Sequence, residues 1–396
     1  MPHNRLNNLL KKARRLVLRT IKQDVILFES IPPYSDNAWP VYRYICENGM
    51  LKQYKLMWIL QSTDTPREDI PSFVRQNTRL GRLKYKMLSL HTKASVFCNY
   101  AHYKDRGDQL TVNLGHGSCI KSVRGVYSMP DNLDYSLIQA PAFADATRYE
   151  HSMSDDTILA PLGYPRNDDF FGDAPLDRAT LFSVPFRKLI VWYPTFRQHK
   201  NGKVAVSDIT LPLIHDAEAA ARINACAKEN GVLVVLKPHF AQDTSYIRKA
   251  DLSNLVFIDD TFFPKHGIRP YQFLHMSDGL ITDYSSVYYD YLLQDKPVAL
   301  TWEDYEQYKE ANGFAVDTDV FCAGGEKVYT AEELCGFIRR VANDEDVLRQ
   351  QRIAVRDLTN AYADGNSAQR VARWVQAVVD AYPQKIIQAN EETTSQ

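Results

Sequence analysis

At 396 residues the chain is long enough for two units of ordinary size, each burying its own core. Its formal net charge of −1, with 45% hydrophobic and 24% charged residues, describes a soluble globular protein and excludes a global nucleic-acid-binding charge, so no nucleic-acid partner is expected. The cysteines Cys46, Cys98, Cys119, Cys226, Cys322 and Cys335 stand singly, without a C-x-x-C pair or zinc-like spacing, and read as reduced thiols in a cytosolic chain. No apolar run reaches about 18 residues, and no signal peptide with an apolar centre is found.

Residues 1–23 carry Arg5, Lys11, Lys12, Arg14, Arg15, Arg19 and Lys22 and no acidic side chain. Leu6, Leu9, Leu10, Ala13, Leu16 and Val17 recur at helical spacing, so the segment reads as a basic amphipathic helix. Such a helix either lies on an anionic membrane surface or packs its leucines on the body of the protein; both readings stand.

A buried strand is predicted over 24–28, then a polar loop over 29–37 and a helix near 39–47. A strand at 56–60, a basic helix around 79–89 and strands at 95–98 and 110–114 continue the alternation. Short apolar runs alternating with helices imply a parallel sheet covered on both faces, and in such sheets ligands sit at the carboxyl ends of the strands. Gly115-His116-Gly117-Ser118 lies at one of those ends, where two glycines let the backbone approach a ligand and leave the imidazole unobstructed. Lys121 adds charge to the same rim.

Further strands at 135–138 and 157–161 lead to Gly163-Tyr164-Pro165-Arg166-Asn167-Asp168, and the stretch to about 185 reads as a linker. The pattern then restarts. A strand at 188–193 ends in Pro194-Thr195-Phe196-Arg197, and a helix over 212–230 precedes the β-branched run 232–236, which ends in Lys237-Pro238-His239. Strands at 255–259 and 297–301, a short helix at 271–276, a capping box at Thr330-Ala331-Glu332-Glu333 and helices near 346–359 and 367–381 follow. The tail after Pro383 is polar and is expected to be disordered.

The stretch from Ser277 to Asp290 organises this second half. A short strand, 279–281, runs into Thr282-Asp283-Tyr284-Ser285-Ser286, and 287–293 reads as a helix. Such a turn gathers free backbone N–H groups, two hydroxyls and the positive end of a helix dipole, which suits phosphate; a plain N-cap is the other reading.

Together these motifs resemble the CDP-glycerol glycerophosphotransferases of bacterial teichoic acid and capsule synthesis. The likeness rests on Phe28-Glu29-Ser30 with Ser35-Asp36-Asn37, the His116-Gly117 loop with Lys121, the segments 163–168 and 193–197, and Lys237-Pro238-His239. It also rests on 277–290, on Asp304 with Tyr308, and on Asp364-Gly365 with Arg370. The family loop reads Trp-His-Gly-Thr-Pro-Leu-Lys, whereas here Gly115, Ser118 and Cys119 replace the tryptophan, threonine and proline.

The resemblance implies an α/β fold of the GT-B type: two Rossmann-like domains (24–170 on the acceptor side, 186–345 on the nucleotide side) facing across a cleft, with helices over 346–383 crossing back. It implies a CDP-glycerol or CDP-ribitol donor, a lipid-linked acceptor, release of CMP and no obligatory metal or other cofactor. His116 would be the general base and His239 would stabilise the transferred phosphate. Thr282, Asp283, Ser285, Ser286, Asp290, Lys237, Thr195 and Arg197 would face the donor, and Lys121, Ser118 and Arg166 the acceptor or its phosphate; the other reading makes Asp290 part of the packing beneath the site and Arg166 or Arg197 a domain-interface ion pair. The basic helix 1–23 would then hold the protein peripherally on the inner leaflet of the cell membrane. Two rival readings are a GT-B glycosyltransferase using a nucleotide sugar and a non-catalytic membrane scaffold.

Overall fold

The computed structural model describes residues 20–99, 104–195, 211–238 and 252–392, together with 242, 244, 245 and 247, and of 383–392 the backbone alone. The predicted segment 1–23 therefore lies almost wholly outside the described residues, as do Arg197 and His239. Two parallel sheets flanked by helices make up the fold.

The first sheet contains β1 (Val25–Glu29), β2 (Lys55–Leu60), β3 (Ser72–Val74), β4 (Thr92–Phe97), β5 (Leu110–Asn113), β6 (Tyr135–Ile138) and β7 (Ile158–Pro161), in the order β3-β2-β1-β4-β5-β6-β7. The second contains β8 (Lys188–Trp192), β9 (Val232–Leu236), β10 (Leu255–Phe257), β11 (Gly279–Thr282), β12 (Val298–Thr301) and β13 (Glu326–Val328), in the order β10-β9-β8-β11-β12-β13. Strands such as β1 and β9 are buried along their whole length, as parallel strands covered on both faces must be. In each sheet the order reverses beside the first strand, between β1 and β4 and between β8 and β11, which opens a crevice at the carboxyl ends of those strands.

The helices of the first half are α1 (Ala38–Glu47), α2 (Arg79–His91) and α3 (Ala144–Glu150). Those of the second half are α4 (Ala217–Glu229), α5 (Phe262–His266), α6 (Pro270–His275), α7 (Val287–Tyr291), α8 (Tyr305–Asn312), α9 (Thr318–Phe321) and α10 (Ala331–Ala342), followed by α11 (Arg349–Thr359) and α12 (Ser367–Glu392). Side-chain caps start several of them: Thr78 accepts from Gly81 N–H at 3.0 Å, Asp216 from Ala219 N–H at 2.7 Å, and Thr330 with Glu333 forms the predicted capping box on α10. The Asp216 cap moves the start of α4 from the expected 212 to Ala217.

Two features matter for function: a departure from the expected linker, and a return of the chain to the first half of the kind the resemblance implied. The presumed linker is no tether: Pro165–Phe170 forms a 3₁₀ turn wedged between the halves, with Asn167 and Phe170 buried. The chain after Thr359 returns to the first sheet as α12, whose Val371, Ala372, Val375 and Val379 are buried in the same core as Val41 and Ile45 of α1. Asp168 caps that helix by accepting from the N–H groups of Ser367 at 2.8 Å and Ala368 at 2.7 Å. The α12 backbone continues as helix through Pro383 to Glu392, where a disordered tail was expected from composition; residues such as Lys385, Gln388, Ala389 and Glu391 are good helix formers.

Candidate active site

The His116 loop leaves β5 through two glycines in the left-handed region, Gly115 at φ 61° and Gly117 at φ 149°. Its backbone is clamped by polar side chains. Asn37 Nδ2 donates to the carbonyls of Leu114 at 3.1 Å and Gly115 at 3.0 Å, Asn113 Oδ1 accepts from Gly115 N–H at 3.0 Å, and Arg166 Nη1 donates to the His116 carbonyl. The His116 side chain keeps part of its surface open to solvent. The protein around it strips away enough water to depress its pKa; Asp36 pushes the other way, and the cations Arg166 and Lys121 depress it further. His116 is thus held neutral, the form a base requires.

Across the crevice, Ser285 and Ser286 are the only residues between Gly279 and Leu292 that are not fully buried. A Cβ on Gly117 would stand 2.2 Å from Ser286 Oγ, so the histidine loop and the serine turn touch although they lie on different sheets. The neighbouring expected donor residues turn inward instead. Thr282 Oγ1 donates to the Tyr193 carbonyl at 2.7 Å, and Asp283 accepts from the Thr195 N–H at 2.9 and 3.0 Å and from Tyr284 N–H at 2.6 Å. Thr282, Asp283 and Thr195 therefore tie the ends of β8 and β11 together. Below the turn, Tyr284 stacks on Tyr308 with ring centroids 4.0 Å apart and donates to Asp304 at 2.9 Å. The helix that follows is shorter than predicted: α7 ends at Tyr291 and gives way to a 3₁₀ turn, Leu292–Gln294, so hydroxyls and turn N–H groups carry more of any anion contact than a helix dipole does. Lys237, at the end of β9, pairs with Asp260 at 2.8 Å.

Asp290 turns into the protein. Its carboxylate is completely buried and accepts four hydrogen bonds: Gln139 Nε2 at 3.1 Å and Asn167 Nδ2 at 3.0 Å on one oxygen, Arg166 Nη2 at 2.7 Å and Tyr271 Oη at 2.6 Å on the other. Those bonds fill the lone-pair sites of an ionised carboxylate and leave none for a ligand. Arg166 is equally committed, since Nη1 also reaches Asp36 at 2.8 Å and the guanidinium lies over the Tyr271 ring at 5.1 Å. Ser118 is buried and donates to Gln139 Oε1 at 3.0 Å. Asp290 and Arg166 thus take the packing and interface ion-pair roles that stood beside their ligand readings, and with Ser118, expected at the acceptor, they form a buried hub that joins the halves. The hub also positions His116, whose backbone Arg166 holds. Lys121 keeps its place on the rim: it bridges Phe314 of the second half, flanked by hydrogen bonds from Ser122 N–H to Gly313 O at 3.1 Å and from Ala315 N–H to Ile120 O at 2.7 Å.

Sequence reasoning did not find the cavity of about 550 Å³ that opens beside His116 in the first half. Gly115, His116 and Gly117 form one wall; Asn99, Tyr127 and His151 are among the others. Cys119 Sγ lies 3.9 Å from His151 Nε2, and burial with the nearby Glu150 carboxylate pushes the thiol up to about 12, so it stays protonated. Among the described residues no three His, Cys, Asp or Glu side chains converge as a metal-ligand set.

Residues 11–377 match the family model described as CDP-Glycerol:Poly(glycerophosphate) glycerophosphotransferase. The chain is 25% identical over 267 residues to the teichoic acid glycerol-phosphate primase of Bacillus subtilis (strain 168), covering 66% of this chain and 61% of that protein. It is 24% identical over 376 residues to the teichoic acid ribitol-phosphate polymerase TarL of Staphylococcus aureus (strain NCTC 8325 / PS 47), covering 89% and 62%. The chain therefore spans about three fifths of the length of these relatives. In fold it is similar to the wall teichoic acid polymerase TagF, with a TM-score of 0.69 at 18% identity over 95% of this chain and 98% of that one. It is also similar, more distantly, to a glycosyltransferase from Rickettsia africae ESF-5, with a TM-score of 0.50 at 11% identity over 90% and 98%. The two flanked parallel sheets are consistent with a GT-B-like architecture.

Proposed function

The chain belongs to the CDP-glycerol:poly(glycerophosphate) glycerophosphotransferase family, and on that premise we propose that it transfers glycerol phosphate, or a related polyol phosphate, from a CDP-polyol to a hydroxyl of a membrane-anchored acceptor. The observation that carries this reading is the contact of the His116-Gly117 loop with Ser286 at the facing carboxyl ends of the two sheets. The sheets are then the two Rossmann-like domains of a GT-B enzyme, 24–170 and 186–345, with 346–383 crossing back.

In the proposed step the acceptor oxygen forms a bond to the phosphorus that carries the polyol, and the bond from that phosphorus to the bridging oxygen breaks. CMP leaves with the electron pair, and the hydroxyl proton passes to His116. Ser285, Ser286 and the N–H groups of their turn surround the phosphates, where charge builds. His239 and Arg197, outside the described residues, are assigned to those phosphates by the family resemblance. The test is CMP release from CDP-glycerol and CDP-ribitol with a lipid-linked acceptor. His116→Ala is expected to lower kcat by on the order of 10²–10⁴. Absence of turnover of both donors by the folded protein, with turnover of a nucleotide sugar instead, would replace this reading by the glycosyltransferase one.

The surface of α2 supports peripheral attachment to an anionic leaflet. Leu80, Leu83 and Met87 are 61%, 58% and 50% exposed. Arg79, Arg82 and Lys84 lie on the same helix, and 76–91 holds no acidic residue, while Lys86 is paired with Asp105. The helix ends where residues 22–24 enter the fold, through Asp24 N–H donating to His91 O at 3.0 Å. Apolar side chains among cations suit a lipid interface, where each Lys or Arg contributes about 1 kcal/mol. Leu83→Glu with Met87→Glu should reduce sedimentation with anionic vesicles; unchanged sedimentation removes α2 from the contact. Among the described residues no helix is long and apolar enough to cross a membrane.

A further inference from the structure

We infer that Cys226 and Cys335 form a peroxide-sensitive thiol pair whose disulfide clamps α4 to α10 beside the second sheet. The inference goes beyond the transferase reading and does not depend on it.

No spacing in the sequence marks the pair, since the two cysteines stand 109 positions apart. The fold brings them together through two amphipathic faces. Ile223, Cys226 and Ala227 recur at i, i+3 and i+4 on α4, and Cys335, Ile338 and Ala342 at i, i+3 and i+7 on α10; all six are buried in one apolar cluster with β8 and β9. Small side chains at such a contact let two helices pack closely, and α4 and α10 do pack against each other. In that seam Cys226 Sγ lies 3.6 Å from the Cys335 carbonyl, and the two thiols are within hydrogen-bonding reach of each other.

The surroundings divide the roles. The Cys226 thiol is pulled below its ordinary value, first by the hydrogen bond with Cys335 and then by the Arg339 guanidinium, against burial and the carboxylates of Glu229 and Glu332. The same bond, with burial, pushes Cys335 up, so Cys335 keeps its proton. The other four cysteines, Cys46, Cys98, Cys119 and Cys322, are all pushed up, chiefly by burial. Cys226 is therefore the thiol best suited to react, and its resolving partner is already in contact. Access needs little movement. Glu332 and Arg339, one helical turn to either side of Cys335, pair at 3.0 Å with side chains 81% and 49% exposed, so rotation of surface groups opens the seam to a molecule as small as hydrogen peroxide.

With that oxidant the chemistry balances. The Cys226 thiolate attacks one peroxide oxygen and the O–O bond breaks; the departing hydroxide takes up the proton that Cys226 released, leaving Cys226 sulfenic acid and water. The Cys335 sulfur then attacks the Cys226 sulfur, the S–O bond breaks, and the departing hydroxyl carries off the Cys335 proton as a second water. The thiols are oxidised to a disulfide and the peroxide is reduced. The new bond closes a loop that contains β9 to β13 and the Ser285-Ser286 turn, and cross-linking a long loop restricts the unfolded chain strongly.

The test uses the full chain, reduced and then exposed to hydrogen peroxide, with free thiols alkylated in denaturant and digestion carried out without reductant. One peptide pair joined through Cys226 and Cys335 is expected, with a loss of about 2 Da from the intact mass and the other four cysteines alkylated. The midpoint of thermal unfolding should rise by about 4 °C or more, and a thiol reductant should restore the lower value. In Cys335→Ala the oxidised Cys226 has no thiol to meet and should be trapped as its sulfenic acid by a 1,3-dione, whereas Cys226→Ala should give no such adduct at Cys335. The peptide map of the native chain decides the matter even where a variant misfolds. Sulfenic acid that persists on Cys226 of the native chain without a cross-link, oxidation confined to the other cysteines, a cross-link that forms only after unfolding, or a cross-linked chain with an unmoved midpoint would each overturn the clamp.

Discussion

The two faces of the crevice are held in place by different physics. The His116 loop is fixed by polar groups: Asn37, Asn113 and Arg166 hold its carbonyls and N–H groups, and Arg166 is held in turn by Asp36 and the buried Asp290. The Ser285-Ser286 turn rests mainly on packing, with Tyr284, Tyr308, Trp302 and Phe314 stacked beneath it. A buried polar network fixes one geometry sharply but is costly once any member loses its partner, whereas an aromatic stack loses contact area gradually. The base, whose reach to a hydroxyl has to be set within tenths of an ångström, sits on the first kind of support. The turn that surrounds diffuse phosphate charge sits on the second.

The largest effect that distinguishes these supports comes from Asp290→Ala. It leaves the Arg166 guanidinium buried with one carboxylate fewer and removes acceptors from Gln139, Asn167 and Tyr271. Breaking a buried pair from one side costs about 3–5 kcal/mol, so denaturant unfolding should show a loss of that order. Activity should fall with it, because the His116 carbonyl loses a well-held partner. A variant with native stability would show that the hub does not hold the halves together.

A smaller effect is expected on the other face. Tyr284→Phe keeps the ring on Tyr308 but removes the hydroxyl that donates to the buried Asp304. The cost should be about 1–3 kcal/mol, the usual penalty for removing one partner from a buried acceptor, with little change in the apparent affinity for CDP-glycerol. If this substitution cost as much as Asp290→Ala, the distinction between a polar and an aromatic support would fail.

The same contrast explains what the sequence reveals. The parallel sheets and the turn motifs at strand ends, where His116, Ser285 and Ser286 lie, follow from local pattern, because burial of a strand and freedom of a glycine are written within a few residues. The edge strands β3 and β13, three residues each, are too short for a periodic signal. Arg166 and Asp290 look like ligand residues because charge at a turn has the same appearance whether its partner is a phosphate or a carboxylate 124 positions away. One local sign of burial was present: Asp290 lies within the run Val287–Tyr291 among tyrosines and a valine, which is poor company for a group meant to face water. The cavity beside His116 has no local signature, since its walls come from loops and strand ends scattered between Ile31 and Tyr164.

The smallest effect concerns charge at the base itself. Partial loss of water around an imidazole that still reaches solvent, together with Arg166 and Lys121, holds the His116 pKa down against the pull of Asp36. Only the neutral imidazole accepts a proton, so the acid limb of kcat/KM should fall below about 6.5, with full activity above it. Arg166 cannot be removed to test this without breaking the hub, so the test falls on Lys121, whose backbone bridge to Phe314 does not depend on its side chain. Lys121→Gln deletes a cation that disfavours the imidazolium. The folded pKa of His116 should therefore rise, moving the acid limb to higher pH while the plateau keeps its height. Lys121→Glu should move it further in the same direction, and high salt should shrink both displacements, since the charge lies on a partly exposed rim. A limb that stays in place, or moves to lower pH, would mean that His116 is not the group that titrates and that the base lies on the other face of the crevice.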